Sequence, residues 1–83
     1  MRTVDNTLDL RGERVDDAIR MTEKFIDQAL QADREVIFLL HGHGTGVLRA
    51  ALREHLAGLV SVRSLRAGVP EEGGDAVTVV EVG

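Results

Sequence analysis

The nine residues from His41 to Arg49, HGHGTGVLR, set two histidines, three glycines, a threonine and an arginine between a hydrocarbon run and an apolar helical pattern. Gly42, Gly44 and Gly46 let the backbone reach positive φ and let a bulky anion approach main-chain N–H groups. A helix starting at about Gly46 or Val47 adds free N–H groups and the positive end of its dipole. Thr45 can cap that helix or bind an anion through its hydroxyl. Arg49 and Arg53, four apart on one helical face, are expected to reach a phosphate at the entrance. Two familiar nucleotide loops are excluded, because GHGTG is neither GxxxxGK[ST] nor GxGxxG. The competing reading is a tight strand-to-helix turn that needs glycine only for close packing.

A second segment, LDLRG (8–12), ends at the same edge if its strand runs parallel to the one before His41. Loops that turn toward helices gather at the carboxyl ends of such strands. Asp9 and Arg11 face the same side, as a structural ion pair or as part of a site. His41, His43 and Asp9 have the types of a two-histidine, one-carboxylate metal set. The flexible loop and the lack of an evident fourth ligand argue against a tight structural metal. The cation expectation is instead magnesium or manganese, held weakly through Asp9 and a phosphate, with no other cofactor. His55 lies on the apolar side of its helix and reads as a core or helix-end histidine. Ser61 and Ser64 lie in a strand without the elbow a serine nucleophile requires.

Taken together, these groups suit phosphodiester cleavage better than acyl or hydride transfer. A histidine titrating near neutrality can move a proton. Arginine and loop amides can hold the charge that builds on phosphorus oxygens. A carboxylate can orient either, or bind a cation.

The elements that must position these residues follow from periodicity. LDLR (8–11) alternates and reads as a short strand. Val15, Ala18, Ile19, Thr22, Phe25, Ile26, Ala29 and Leu30 form the stripe of an amphipathic helix over 15–32. EVIFLL (35–40) is a strand buried on both faces or placed centrally. Val47, Leu48, Ala51, Leu52, His55 and Leu56 share the apolar face of a second helix, which Gly58 ends. SVRSLR (61–66) reads as a strand whose inward face is ambiguous, since Val62 and Leu65 point opposite ways in regular backbone. Residues 67–75 are a loop and AVTVVEV (76–82) a strand. The order β-α-β-α-β-β predicts a two-layer α/β sandwich, with both helices on one face of a four-stranded mixed sheet. The first two strands should be parallel and the last two antiparallel.

An 83-residue chain is one domain, and 43% apolar against 29% charged residues is ordinary for a soluble globular chain. The longest apolar run is five residues, no basic-then-apolar leader opens the chain, and cysteine is absent. These features fit a cytoplasmic protein with no membrane partner, either a whole small protein or a domain of a larger one. The formal charge of −4 argues against nucleic acid, yet residues 41–68 carry four arginines against Glu54 alone. Without tryptophan or tyrosine there is no aromatic platform, so contacts to nucleic acid should run through backbone phosphates.

LDLRG (8–12), the amphipathic helix, HGHGTGVLR (41–49) and PEEGGDAVTVVEV (70–82), in this order, resemble the Smr (small MutS-related) domain over essentially the whole chain. The likeness is strongest to the branch at the C-terminus of bacterial type-two MutS homologues, where LD-x-R-G replaces LD-x-H-G. It implies an 8–83 endonuclease domain after a 1–7 extension, with a fold similar to the C-terminal domain of translation initiation factor three. It also implies sequence-independent nicking of DNA in a larger ATP-binding protein that suppresses recombination by acting on branched intermediates. RNA cleavage, or docking to nucleic acid or the ribosome without catalysis, are the alternatives. By motif position, Asp9, Arg11 and His41 are catalytic, Gly42, Gly44 and Gly46 form the cradle, and Arg49 is a phosphate contact; His43, Thr45 and Arg53 join the binding set. Three departures stand out. His43 replaces a frequent lysine, Arg11 replaces a histidine and so moves acid–base work to His41, and Asp75-Ala76 stands where glycine is expected.

Overall fold

The structure, a computed structural model, describes residues 2–83. The elements run β1 (Thr7–Asp9), α1 (Val15–Gln31), β2 (Val36–Leu40), α2 (Val47–Ala57), β3 (Val62–Ala67) and β4 (Val77–Val82). The stripe on α1 buries Ala18, Thr22, Ile26 and Ala29, as its spacing predicts. No proline or glycine stops α1. Instead Asp33 takes φ 57°, and the N–H groups of Asp33 and Arg34 return to the carbonyls of Leu30 and Ala29. That pair of bonds is the Schellman ending normally built on glycine.

The sheet order is β1-β2-β4-β3. β1 and β2 are parallel, and β4 is antiparallel to both β2 and β3. Alternation along β2 and β4 then divides the apolar residues. Ile37, Leu39, Val80 and Val82 join Leu10 and the inner faces of α1 and α2 in the main core. Phe38, Val77 and Val79, with Val36 and Leu40, cluster on the opposite face. Both helices thus pack on one side of a four-stranded mixed sheet, the predicted two-layer architecture. No helix among the described residues is long and apolar enough to cross a membrane.

Three local expectations are corrected. Val47, assigned to the apolar face of α2, is 62% exposed at the first position of that helix. The ambiguity of β3 is resolved by a register shift between Val62 and Ser64. A residue that slips out of the ladder reverses the alternation, so Val62 and Leu65 both reach the core. The segment 67–75, expected as open loop, contains two 3-10 turns, Pro70–Glu72 and Gly74–Ala76, the second of which takes in Ala76, expected as the first residue of the last strand.

Leu52 sits at the centre of the inner face of α2 with no exposed surface. Leu52→Ala should lower unfolding free energy by about 2–5 kcal/mol, a large share of the stability of a domain this small. Urea unfolding checks this, and a change below about 0.5 kcal/mol, the range of surface substitutions, would contradict this packing of α2.

Candidate functional site

β2 delivers the chain to His41 at the carboxyl end of the parallel pair, and the backbone there must find partners. The N–H groups of His41 and Gly42 both donate to the carbonyl of Ala76, at 3.1 and 3.0 Å. The turn before β4, where Asp75-Ala76 replaces the expected glycine, therefore clamps the start of the glycine loop. Gly42 takes φ 79°, and Gly46 takes φ 84° at the N-cap of α2. A β-carbon on Gly46 would lie 3.1 Å from Nη2 of Arg49, which places that guanidinium across the helix entrance. Thr45 accepts a long bond, 3.4 Å, from the N–H of Val47.

His41 is 7% exposed and both its ring nitrogens are engaged. A carbonyl can only accept, so Nδ1, 2.8 Å from the Gly42 oxygen, carries the proton. Nε2 lies 2.8 Å from the hydroxyl of Thr78, which also accepts from Nε of Arg53 at 3.0 Å. Burial holds the His41 pKa below 6.5; the Gly42 carbonyl opposes this, while Arg53, Arg49 and His43 reinforce it. The ring is neutral at neutral pH.

Asp9 and Arg11 form a bidentate pair, with Nε to Oδ1 at 3.0 Å and Nη2 to Oδ2 at 2.8 Å. The N–H of Arg11 adds a third bond to Oδ1. These bonds lower the Asp9 pKa to about 2, so it is a carboxylate at any working pH. The pair is exposed, and the Arg11 stem lies against Gly42, 3.4 Å from where a β-carbon would be. Asp9 does not meet His41. It pairs in register with Leu40 and shares that residue's face, whereas His41, one residue on, turns to the helix face. The donor set does not fit a divalent cation either. Both Asp9 oxygens hold the guanidinium, and the described residues contain no cluster of three or more metal-capable side chains.

Between the β1–α1 and β2–α2 loops lies a cleft of about 330 Å³. Its walls bring His43, Arg49 and the loop from Gly42 to Gly46 opposite Glu13 and Arg14. Among the described residues, the N–H groups of His43, Gly44 and Thr45 donate to no other part of the chain, whereas that of Gly42 is taken by Ala76. The amides available to an anion thus begin one residue later than the glycine spacing suggests. Arg53, expected at a phosphate, is turned inward onto Thr78 one helical turn below the entrance. Arg66 pairs with Glu72 at 2.7 and 3.0 Å, so its charge is not free either. His55 is a helix-end histidine, bridging to Glu23 of α1 at 2.9 Å.

Two residues of the site escaped the sequence reading. Arg14 is legible in retrospect as a cation opening the β1–α1 connection. Thr78 carries no signal, since a threonine in a strand reads as β-propensity.

Residues 8–83 match the family model of the Smr domain. Proteins named Endonuclease MutS2 match over most of the chain. That of Staphylococcus epidermidis is 41% identical over 81 residues, covering 98% of this chain and 10% of the relative. That of Listeria innocua is 47% identical over 74 residues, covering 89% and 9%, and that of Anaeromyxobacter sp. 46% over 79 residues, covering 95% and 10%. The chain spans about a tenth of the length of these relatives. The crystal structure of the Smr domain of Thermus thermophilus MutS2 superposes with a TM-score of 0.91 at 38% identity, covering 94% of this chain and 98% of that one. YdaL, a stand-alone small MutS-related protein from Escherichia coli, shares the fold, with a TM-score of 0.91 at 22% identity over 99% of this chain and 67% of that one.

The depressed pKa of His41 has a consequence for stability. Below pH 6.5 the unfolded chain binds a proton on this side chain that the folded chain refuses, so stability falls as pH falls. The contribution is complete above pH 6.5 and is lost below it at up to about 1.4 kcal/mol per pH unit. His41→Gln should flatten the pH dependence of urea unfolding below pH 6.5. Parallel profiles for variant and parent would contradict the neutral, buried ring.

Proposed function

The chain belongs to the Smr domain family, and from that membership we propose that it is the nuclease domain of a larger MutS2-like protein. In this reading it nicks the phosphodiester backbone of DNA without sequence preference, in the cytoplasm, on branched recombination intermediates. The support is the name Endonuclease MutS2 on relatives about ten times its length, together with the chemistry of the cleft.

The observation that carries the reading is that cleft, where Arg14, Arg49, His43 and three unclaimed amides converge at the carboxyl ends of parallel strands. A backbone phosphate held there would be contacted through charge and amides, with no aromatic surface to read a base. Arg11, leaning over Gly42, would neutralise charge developing on the phosphoryl oxygens. Asp9 would orient Arg11, since a carboxylate ionised down to a pH of about 2 cannot act as an acid. His41, neutral, would take the proton of the attacking water, provided its bond to Thr78 opens. No step in this scheme runs through a metal, because the donor set around Asp9 is occupied by Arg11.

The two intrachain bonds of His41 favour a second reading, a module that docks a parent protein onto nucleic acid without cutting it.

Supercoiled plasmid separates the two. The purified chain should nick it in the presence of a chelator, and Arg11→Ala and His41→Ala should each slow nicking on the order of 100-fold. Variants that nick as fast as the parent would refute the site assignment. Salt-sensitive binding with no nicking would establish the docking reading. For duplex DNA, Arg14→Ala and Arg49→Ala should each reduce the slope of log affinity against log salt by about 0.9.

A further inference from the structure

We propose that Thr78 is the positioning residue of the glycine loop: its hydroxyl links the Arg53 guanidinium on α2 to the ring of His41, and the ring holds the Gly42 carbonyl that opens the loop. The significance of this for catalysis rests on the nuclease reading above, but the link itself does not.

The direction of every bond is set by what each atom can do. Arg53 Nε can only donate, so at 3.0 Å the Thr78 oxygen accepts. The hydroxyl proton is left for an acceptor, and Nε2 of His41 stands 2.8 Å away. At the far side of the ring the Gly42 carbonyl, 2.8 Å from Nδ1, can only accept, which puts the one proton of a neutral imidazole on Nδ1. All three bonds are satisfied at once only in this arrangement. They form one polarised chain that starts on a fixed cation and ends on the backbone of the cradle. A proton added to His41 would place two donors on the Thr78 oxygen and strand its own hydroxyl hydrogen.

The surroundings leave no substitute for the hydroxyl. Thr78 has no exposed surface and faces the helices from β4, in register with Leu39 of β2 and Ala67 of β3. The charged or titratable groups that act on the ring are Arg53 and Arg49 on α2 and His43 in the loop, and each opposes a second proton there. Nη2 of Arg53 is buried and has no hydrogen-bond partner among the described residues. The guanidinium therefore stays at Thr78 at the cost of an unmet donor, although one turn along α2 Arg49 lies in the cleft. Proteins tolerate such a donor where the position of the group matters more than its local stability.

The test is an NMR titration of the histidine ring nitrogens in the intact chain. The parent should show His41 as the Nδ1–H tautomer with its Nε2 hydrogen-bonded. Thr78→Ser should preserve both features. Thr78→Val should shift the Nε2 resonance and raise the His41 pKa by roughly 0.7 of a pH unit, the equivalent of one hydrogen bond. Arg53→Met should also raise it, and the double variant should fall short of the sum, since both changes break one chain. An Nε2–H tautomer in the parent, an unmoved Nε2 in Thr78→Val, or strict additivity would overturn the proposal. If Thr78→Val does not fold, Arg53→Met decides: there an unmoved Nε2 resonance overturns it and a shifted one supports it. None of these measurements uses nucleic acid. A chain that fails to nick plasmid would refute the proposed function while this link stood or fell on its own.

Discussion

One carbonyl holds the site together. Ala76 accepts from both His41 and Gly42, so the last turn of the chain fixes where β2 stops and the glycine loop begins. This contact exists because β4 inserts beside β2 rather than adding to the edge beyond β3. With β4 in that place, Thr78 falls under the helix entrance, 37 residues from the histidine it bonds. A topology in which the strands followed chain order would separate Ala76 and Thr78 from the loop. The geometry of the cleft is therefore a consequence of strand order as much as of the HGHGTG run.

Periodicity made most of the fold legible. The apolar stripe of α1, the unbroken hydrocarbon of β2 and the alternation of β4 each have one reading, and together they lead to a parallel first pair and an antiparallel last pair. β3 stayed ambiguous because a bulge leaves no mark on residue types: Val62 and Leu65 conflict only while the strand is assumed regular. At the site, spacing located the participants and misjudged their directions. Asp9 and His41 converge on one edge of the sheet yet face opposite ways, since a single residue past Leu40 changes sides. Arg49 and Arg53 are four apart, which turns the second by about 40° round the helix and drops it a full turn into the interior. Neither displacement can be read from composition, because both depend on which strand lies beneath.

The charges show the same economy. Residues 41–68 look basic on paper, but the chain engages much of that charge internally. Arg53 serves Thr78 and Arg66 serves Glu72, whose carboxyl is lowered to about 2 by Arg66 and by the Val69 N–H. Of the four arginines in this segment only Arg49 lines the cleft, where Arg14 meets it from a segment that is acidic overall. What a phosphate would encounter is a local concentration of donors on a chain of net charge −4. Such a surface gives weak attraction at distance and close grip at contact.

The register shift in β3 bears on more than the core. Among the described residues β3 is an edge strand with one side of its ladder unpaired, and Val60 just before it is fully exposed. Open edges of this kind template the addition of another chain, the first step toward fibrous assembly. A bulge near the start of the strand breaks the even row of donors and acceptors that an incoming strand would copy, and Arg63 at that irregularity adds a charge. The slip that lets Val62 and Leu65 share one face thereby also guards the domain against sticking to its own copies.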